Sequence, residues 1–274
     1  MNTVQKVIKY LAMAFAVFLI VTIIGGIIAG LAGVSLLFSD RDEDSIGEMQ
    51  MYAINEDITS LSLSLSRARL QIKTADSFSV ESNHKYISVK SEDGLLCITE
   101  TGKRFSVYPE GLTVTLSIPK DFVFDSAAIE TGAGKVKVDA LAADELRLSL
   151  GAGEADIKNL TANSHADIDG GAGEVKISGG RLCNLKLNMG VGEMTLKSRI
   201  EGNSRLDYGI GEVKLTLLGN REDYRIEIDK GIGEARIEGE NMRDDSVYGT
   251  GTNRIKIDGG IGAIRIEFSE VEMR

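Results

Sequence analysis

The sequence predicts an all-β protein: a parallel β-solenoid of about seven rungs, each of about 19–20 residues, with an irregular β cap at its N-terminal end and one transmembrane helix before it. Three observations lead there. Between Ile129 and Ile266 a short phrase recurs, in which alternating apolar residues run into Gly-x-Gly, usually Glu, and then a second alternating strand. The first glycines of the copies are Gly132, Gly151, Gly171, Gly190, Gly209, Gly231 and Gly260, and this near-constant spacing of about twenty marks a stacked repeat, with only the last two intervals longer. Upstream, the run from Leu11 to Phe38 carries no charge.

That run is long enough to cross a membrane. As a helix it spans about 42 Å against a hydrocarbon core of about 30 Å. A cleaved signal peptide carries an apolar region of only about 7–15 residues, so the run reads as a retained anchor. Lys6 and Lys9 precede it and a single Arg41 follows among Asp40, Asp42, Glu43 and Asp44, which favours a cytoplasmic N-terminus at residues 1–10 and everything after the helix 11–38 outside. The helix would contact the lipid bilayer, and Gly26 and Gly30 have the spacing that lets two helices approach, a route to a homo-oligomer.

Residues 39–55 are acidic and poor in apolar residues, and read as a stalk. Residues 56–126 hold short alternating strands, among them Leu61, Leu63 and Leu65 and the segment Phe105–Val107, without the Gly-x-Gly corner. They read as an irregular β region that covers the open end of the solenoid. Residues 127–269 are the repeats and 270–274 a tail.

Within the repeats, the residue three before the first glycine is always apolar: Ile129, Leu148, Ile168, Leu187, Leu206, Ile228 and Ile257. After the motif the apolar positions are Val136 and Val138, and their equivalents as far as Ile264 and Ile266. This is the period of a half-buried strand, but the count slips by one across the motif. Glycine, which accepts φ > 0, suits the corner where that happens. The residue between the glycines (Ala133, Ala152, Ala172, Val191, Ile210, Ile232, Ile261) is expected to point inward. The longer intervals place extra residues near 218–224 and 239–253, and the second of these offers a contact loop with Asp244, Asp245 and Tyr248 as candidate binding residues.

The sharpest chemical feature is a column of acids after the second glycine: Glu154, Glu174, Glu193, Glu212 and Glu234. Stacked rungs would set them about 4.8 Å apart, oxygen ligands for a hard cation, so these five are the candidate metal residues and calcium the candidate ion. A second column two before the first glycine holds Glu130, Asp169, Asp207, Asp229 and Asp258. Lys137, Lys176, Lys214, Arg236 and Arg265 stand near enough to neutralise the first column, which makes a solvated, salt-laced face the competing reading. No cofactor is expected.

A net charge of -10 argues against nucleic acid, because phosphate binding needs clustered Lys and Arg. Gly170-Gly171-Ala172-Gly173-Glu174-Val175 falls short of a calcium nonapeptide, since Val175 stands where an aspartate is required. His84 and His165, the only histidines, belong to no metal or triad motif, so an enzyme is not expected. Cys97 and Cys183 are the only cysteines; Cys97 reads as a small buried apolar residue, and a disulfide would have to join regions 86 positions apart.

The segment Leu116-Ser117-Ile118-Pro119-Lys120, followed by Ile129-Glu130-Thr131-Gly132-Ala133-Gly134-Lys135-Val136-Lys137-Val138 and the later strand–Gly–strand repeats, resembles a family of bacterial membrane-anchored β-strand-repeat proteins named for adhesion and grouped as a domain of unknown function. The likeness covers roughly residues 50–267. It implies surface adhesion or an envelope role and brings no catalytic residues. The expectation is an adhesin-like binding or scaffolding module of the bacterial cell envelope, in contact with an envelope polymer or a protein partner. The alternatives are a self-associating structural element, an envelope-stress regulator binding a protein partner, and a glycan-acting enzyme.

Overall fold

The computed structural model describes residues 46–54, 57–101 and 111–270. The expected N-terminus 1–10, the transmembrane helix 11–38 with Gly26 and Gly30, residues 39–45 of the stalk, the segment Phe105–Val107 and residues 271–274 of the tail lie outside the described residues. Among the described residues no helix is long and apolar enough to cross a membrane.

The described residues are almost entirely β. In chain order the strands are β1 (Ile46–Ala53), β2 (Ser60–Leu65), β3 (Arg69–Ala75), β4 (Ser79–His84), β5 (Ile87–Glu92), β6 (Leu95–Glu100), β7 (Thr113–Pro119) and β8 (Phe124–Ile177). There follow β9 (Gly180–Cys183), β10 (Leu185–Glu201), β11 (Asn203–Leu218), β12 (Tyr224–Asp229), β13 (Ile232–Ile237), β14 (Glu240–Asn241), β15 (Ser246–Tyr248) and β16 (Asn253–Ser269). They alternate as their sequences do. In Ser60–Leu65 every leucine is buried and every serine only half so, because successive side chains leave a strand on opposite faces.

Copies of the repeat lie parallel and in register. Gly192 is opposite Gly173 on one side and Gly211 on the other, and Leu187 lies between Ile168 and Leu206. The stacking order is not the chain order. β16, the seventh copy, pairs with β11 on one side and with β12 and β13 on the other, so it is inserted between the fifth copy and the sixth. Its Ile255, Ile257, Ile264 and Ile266 are all buried, as a strand with neighbours on both sides requires. The chain steps one place outward to lay down β12 and β13, and the long interval from Gly231 to Gly260 gives it the length to return and fill the gap.

The N-terminal end is built in the same way. β2 and β3 pair directly with the first copy in β8, so Ser66-Arg67-Ala68 occupies the place of a Gly-x-Gly corner, and the Ala133 N–H donates to the Ser66 carbonyl at 2.7 Å. The chain then steps outward to β4 and β5, and β6 and β7 return to lie between these and β2 and β3. The region expected to be irregular thus extends the parallel stack before closing it with antiparallel strands. β1, from the stretch expected to be a stalk, adds to the open edge of β4. Strand pairing uses backbone groups, so a polar segment can satisfy an edge as well as an apolar one.

The corner corrects one expectation. Ala133, Ala152, Ala172 and Val191 are exposed and Ile210, Ile232 and Ile261 half-buried; none is buried. The inward position is the one before the first glycine, where Leu150, Met189 and Tyr208 are buried. Four residues, from the first glycine to the residue after the second, then run along the outside before Val136, Ala155, Val175, Met194 and Val213 turn in again. In the third and seventh copies the inward corner position is Gly170 and Gly259. A Cβ at Gly259 would lie 2.6 Å from the Tyr208 ring, so the missing side chain is the space Tyr208 fills.

Glu100 ends the column of corners. Its Oε2 accepts the N–H groups of Ser66 at 2.7 Å and Arg67 at 3.2 Å, and Oε1 lies 3.4 Å from His84 Nε2. His84 is buried, and its Nδ1 accepts the Tyr86 N–H at 3.3 Å, which leaves Nε2 to carry the proton toward Glu100. A side-chain carboxylate here does what a neighbouring backbone carbonyl does at the next corner. Burial pushes the Glu100 pKa up, but His84 and the two N–H groups outweigh it and hold the carboxyl below its ordinary value. A depressed folded-state pKa contributes stability that is present above the unfolded value and lost as pH falls through the folded one. Glu100→Gln should therefore lower the melting midpoint at pH 7 and flatten its decline between about pH 5 and pH 3, measured by circular dichroism melts across that range.

The Gly-x-Gly face as candidate functional site

Each Gly-x-Gly places two bare backbone positions around one outward side chain, and stacking in register turns these points into lines. The second glycine has φ between +134° and +151° in all seven copies, a conformation side chains disfavour. The first glycine is required by space instead: a Cβ at Gly171 would run into the carbonyl oxygen of Gly151. The residues between them form a ladder in the order Ala133, Ala152, Ala172, Val191, Ile210, Ile261, Ile232. Val191 pairs with Ala172 and Ile210, and Ile261 with Ile210 and Ile232. Stacked side chains shade one another, so the isoleucines are half-buried, whereas Val191, beside the smaller Ala172, is 48% exposed. A groove of 330 Å³ runs beside the ladder on the first-glycine side, lined by Glu130, Gly151, Asp169, Gly171 and Asn188 among others.

Of the five candidate metal residues, the structure pairs Glu193 with Glu174 and with Glu212 in register, while Ala263 of the inserted copy separates Glu212 from Glu234. Basic side chains reach into the column. Lys135 Nζ is 2.8 Å from Glu154, Lys214 Nζ is 2.7 Å from Glu193 and 3.4 Å from Glu212, Arg265 pairs with Glu212, and Arg236 is 3.1 Å from Glu234. The hydrogen bond from Lys135 holds the Glu154 carboxyl below its usual range. Among the described residues no group of three or more His, Cys, Asp or Glu is arranged around a common point that could hold a metal ion. Glu174 makes no ion pair among the described residues.

The second column is neutralised at Asp207 and Asp258 only, and Asp229 beyond them has no cationic partner among the described residues. Arg205 pairs with Asp207 at 2.8 Å and with Asp258 at 2.5 Å, whereas Glu130 and Asp169 have no cationic partner among the described residues; Asp169 accepts the Asn188 amide at 2.6 Å.

The candidate contact loop is an end closure. β14 pairs antiparallel with β13 and β15 with β12, Asp244 accepts the Lys230 N–H at 3.1 Å, and the Tyr248 ring stacks on Phe268 at 5.8 Å. Asp245 turns the chain at φ +54° and stays exposed. Asp244 and Tyr248 are therefore engaged within the fold. His84 is buried at the far end of the sheet and His165 is exposed on the third copy, so no side chain joins them. Cys97 and Cys183 are free and half-buried, and Cys97 sits between the inward Leu96 and Ile98 on the outward face, not in the core as expected. Burial and Glu201 push the Cys183 thiol pKa up, which keeps it unreactive.

The ladder is readable in the sequence: the apolar alternation at five and three before the glycine continues to Leu150, Met189 and Tyr208, which leaves the next inward place to Val136 and its equivalents and puts the residue between the glycines outside. Because Lys and Arg already occupy the acid column, millimolar calcium should leave the melting midpoint of the chain unchanged, and so should the triple variant Glu174→Gln, Glu193→Gln, Glu212→Gln in calcium's presence relative to its absence. A calcium-dependent rise lost in the variant would instead support the cation ladder.

No curated protein matches the chain. Among solved structures it is similar to the "putative cell adhesion protein" of Clostridium sporogenes ATCC 15579, at 14% identity over 81% of this chain and 99% of that one with a TM-score of 0.38. It is similar also to the "putative adhesin" of Bacteroides fragilis NCTC 9343, at 13% identity over 80% and 95% with a TM-score of 0.39. That of Parabacteroides distasonis ATCC 8503 matches at 14% identity over 82% and 98%, with a TM-score of 0.35. Residues 39–267 match the family described as Toastrack DUF4097, and the chain belongs to that family.

Proposed function

We propose that this protein is an adhesin-like binding or scaffolding module of the bacterial cell envelope. In this reading the parallel strands form a β-solenoid of about seven Gly-x-Gly rungs, held outside the cell membrane by a single helix at residues 11–38 with its N-terminus in the cytoplasm. The observation that carries the reading is the outward ladder from Ala133 to Ile232. It is a periodic face that extends across seven stacked copies, about 29 Å at about 4.8 Å per step. Such a face suits an extended partner better than a small molecule, which is held in a concave, enclosed pocket. Most carboxylates beside its valine and isoleucines are held in ion pairs with neighbouring Lys and Arg side chains, as on a solvated binding surface. The family and the names of its structural neighbours agree with a binding role.

The test uses the full-length chain in zwitterionic phosphatidylcholine nanodiscs, melted in the presence of isolated envelope fractions: peptidoglycan, anionic wall polymer, and extracted envelope protein. A ligand that binds only the folded state raises the midpoint in proportion to RT ln(1 + [L]/Kd). One fraction is expected to raise it with saturation. No shift with any fraction, together with concentration-dependent self-association, would replace this reading with that of a structural element.

A further inference from the structure

Nothing inside the fold requires the residue between the glycines to be apolar. A solvent-facing strand position accepts Ser, Thr or Lys at less cost than Ile. Yet all seven are Ala, Val or Ile, and the four β-branched ones, Val191, Ile210, Ile261 and Ile232, occupy consecutive places in the stack. Bare glycine backbone on either side leaves their flanks open. A contiguous apolar strip of this kind on a soluble face marks an interaction surface.

Its two ends differ in charge. Beside Ala133, Ala152 and Ala172, on the first-glycine side, stand Glu130 and Asp169, neither of which has a cationic partner among the described residues, and they are the charged lining of the 330 Å³ groove there; on the other side Glu154 is paired with Lys135, and Glu174 shares a pocket with Lys135, Lys137 and Lys176. Beside the valine and isoleucines, Glu193 and Glu212 are matched by Lys214 and Arg265, Asp207 and Asp258 by Arg205, and Glu234 by Arg236; of the acids there only Asp229 lacks a cation among the described residues. The apolar half of the ladder thus lies in line with a groove whose charged lining is anionic.

Resting on the binding-module reading above, we propose that this face docks a cationic amphipathic polypeptide segment, with its apolar side chains on Val191, Ile210, Ile261 and Ile232 and its Lys or Arg heads in the groove on Glu130 and Asp169. Long basic side chains suit the groove, because their aliphatic stems lie on apolar surface while the charged heads reach the carboxylates. The ladder's length of about 29 Å corresponds to about 19 residues of helix. Anionic polymers and anionic membrane surfaces are repelled by the same carboxylates.

The probe is a synthetic leucine–lysine amphipathic helical peptide of about 18 residues, with a counterpart carrying glutamate for lysine. Binding to the full-length chain in phosphatidylcholine nanodiscs is read by fluorescence anisotropy against empty discs. The lysine peptide is expected to bind and the glutamate peptide not to. Val191→Ser with Ile210→Ser, and separately Glu130→Gln with Asp169→Asn, should each weaken binding by about tenfold or more while the melting midpoint stays within a few degrees of wild type. Equal binding by all variants, or equal binding of the glutamate peptide, overturns the proposal. So does a wild-type dimer that the serine variants dissolve without change in peptide binding, since the ladder would then serve a second copy. If the peptide fails to bind while an envelope fraction still raises the midpoint, this inference falls and the binding-module reading stands; if both fail, both fall.

Discussion

The close approach of backbone to backbone at the Gly-x-Gly corners is the constraint on which the rest of the structure depends. At each corner the second glycine takes a φ that other residues disfavour, and a Cβ there would run into the corner of the neighbouring copy: at Gly192 it would meet the Gly173 carbonyl, and at Gly211 the Gly192 carbonyl. One such contact fixes how two copies sit. Six in a column fix the register of every strand that leaves the corner, and register decides which face each side chain occupies, since a slip of one residue would turn the core outward. The buried columns of Leu, Ile and Val, the ion-paired carboxylates and the outward apolar ladder all follow from that alignment.

The ends of the stack meet a different physical problem, because a terminal strand offers unpaired N–H and C=O groups to any other edge. Both ends meet it by the same manoeuvre: the chain leaves one place vacant, lays down the outer strands, and returns to fill the gap. At one end β16 enters between β11 and β12 with β13, and the outermost edges are met by the very short β15 and β14. At the other, β6 and β7 enter inside β4 and β5, and Glu100 completes the column of corner hydrogen bonds with a carboxylate fixed by buried His84. The returning strand in each case gains two neighbours at once, so the ends are bound through the path of the chain as well as through local pairing.

Much of this is legible in the residues. The period, the alternation and the glycines identify an all-β repeat, and the spacing of Lys214, Arg236 and Arg265 foretells the ion pairs of Glu193, Glu212 and Glu234, whereas Glu154 is held by Lys135, which that spacing does not single out. The stacking order is not legible, because the long interval between Gly231 and Gly260 reads equally well as a surface insertion or as a return path, and only pairing distinguishes them. Ser66-Arg67-Ala68 does not announce itself as a corner because the two positions that elsewhere demand glycine are there filled by other residues, next to a rung whose own corner is replaced by Glu100. The outward direction of the ladder is hidden by a simpler habit of assigning apolar side chains inward, although the alternation through Leu150, Met189 and Tyr208 already places them outside. Glu100 and His84 lie in strands that pattern alone describes only as alternating, and nothing in their spacing announces that two buried side chains meet.

The constraint can be measured at a single position. Gly192→Ala adds one methyl group at φ +140° against the Gly173 carbonyl, in the middle of the stack and away from both ends. Equilibrium urea unfolding of this variant, beside Ala172→Ser as a change on the same exposed face, compares the corner with its surroundings. If the corners hold the register, Gly192→Ala loses about 1–3 kcal/mol or more of stability while Ala172→Ser stays within about 0.5 kcal/mol of the parent. Unfolding of Gly192→Ala indistinguishable from that of the parent would contradict the account.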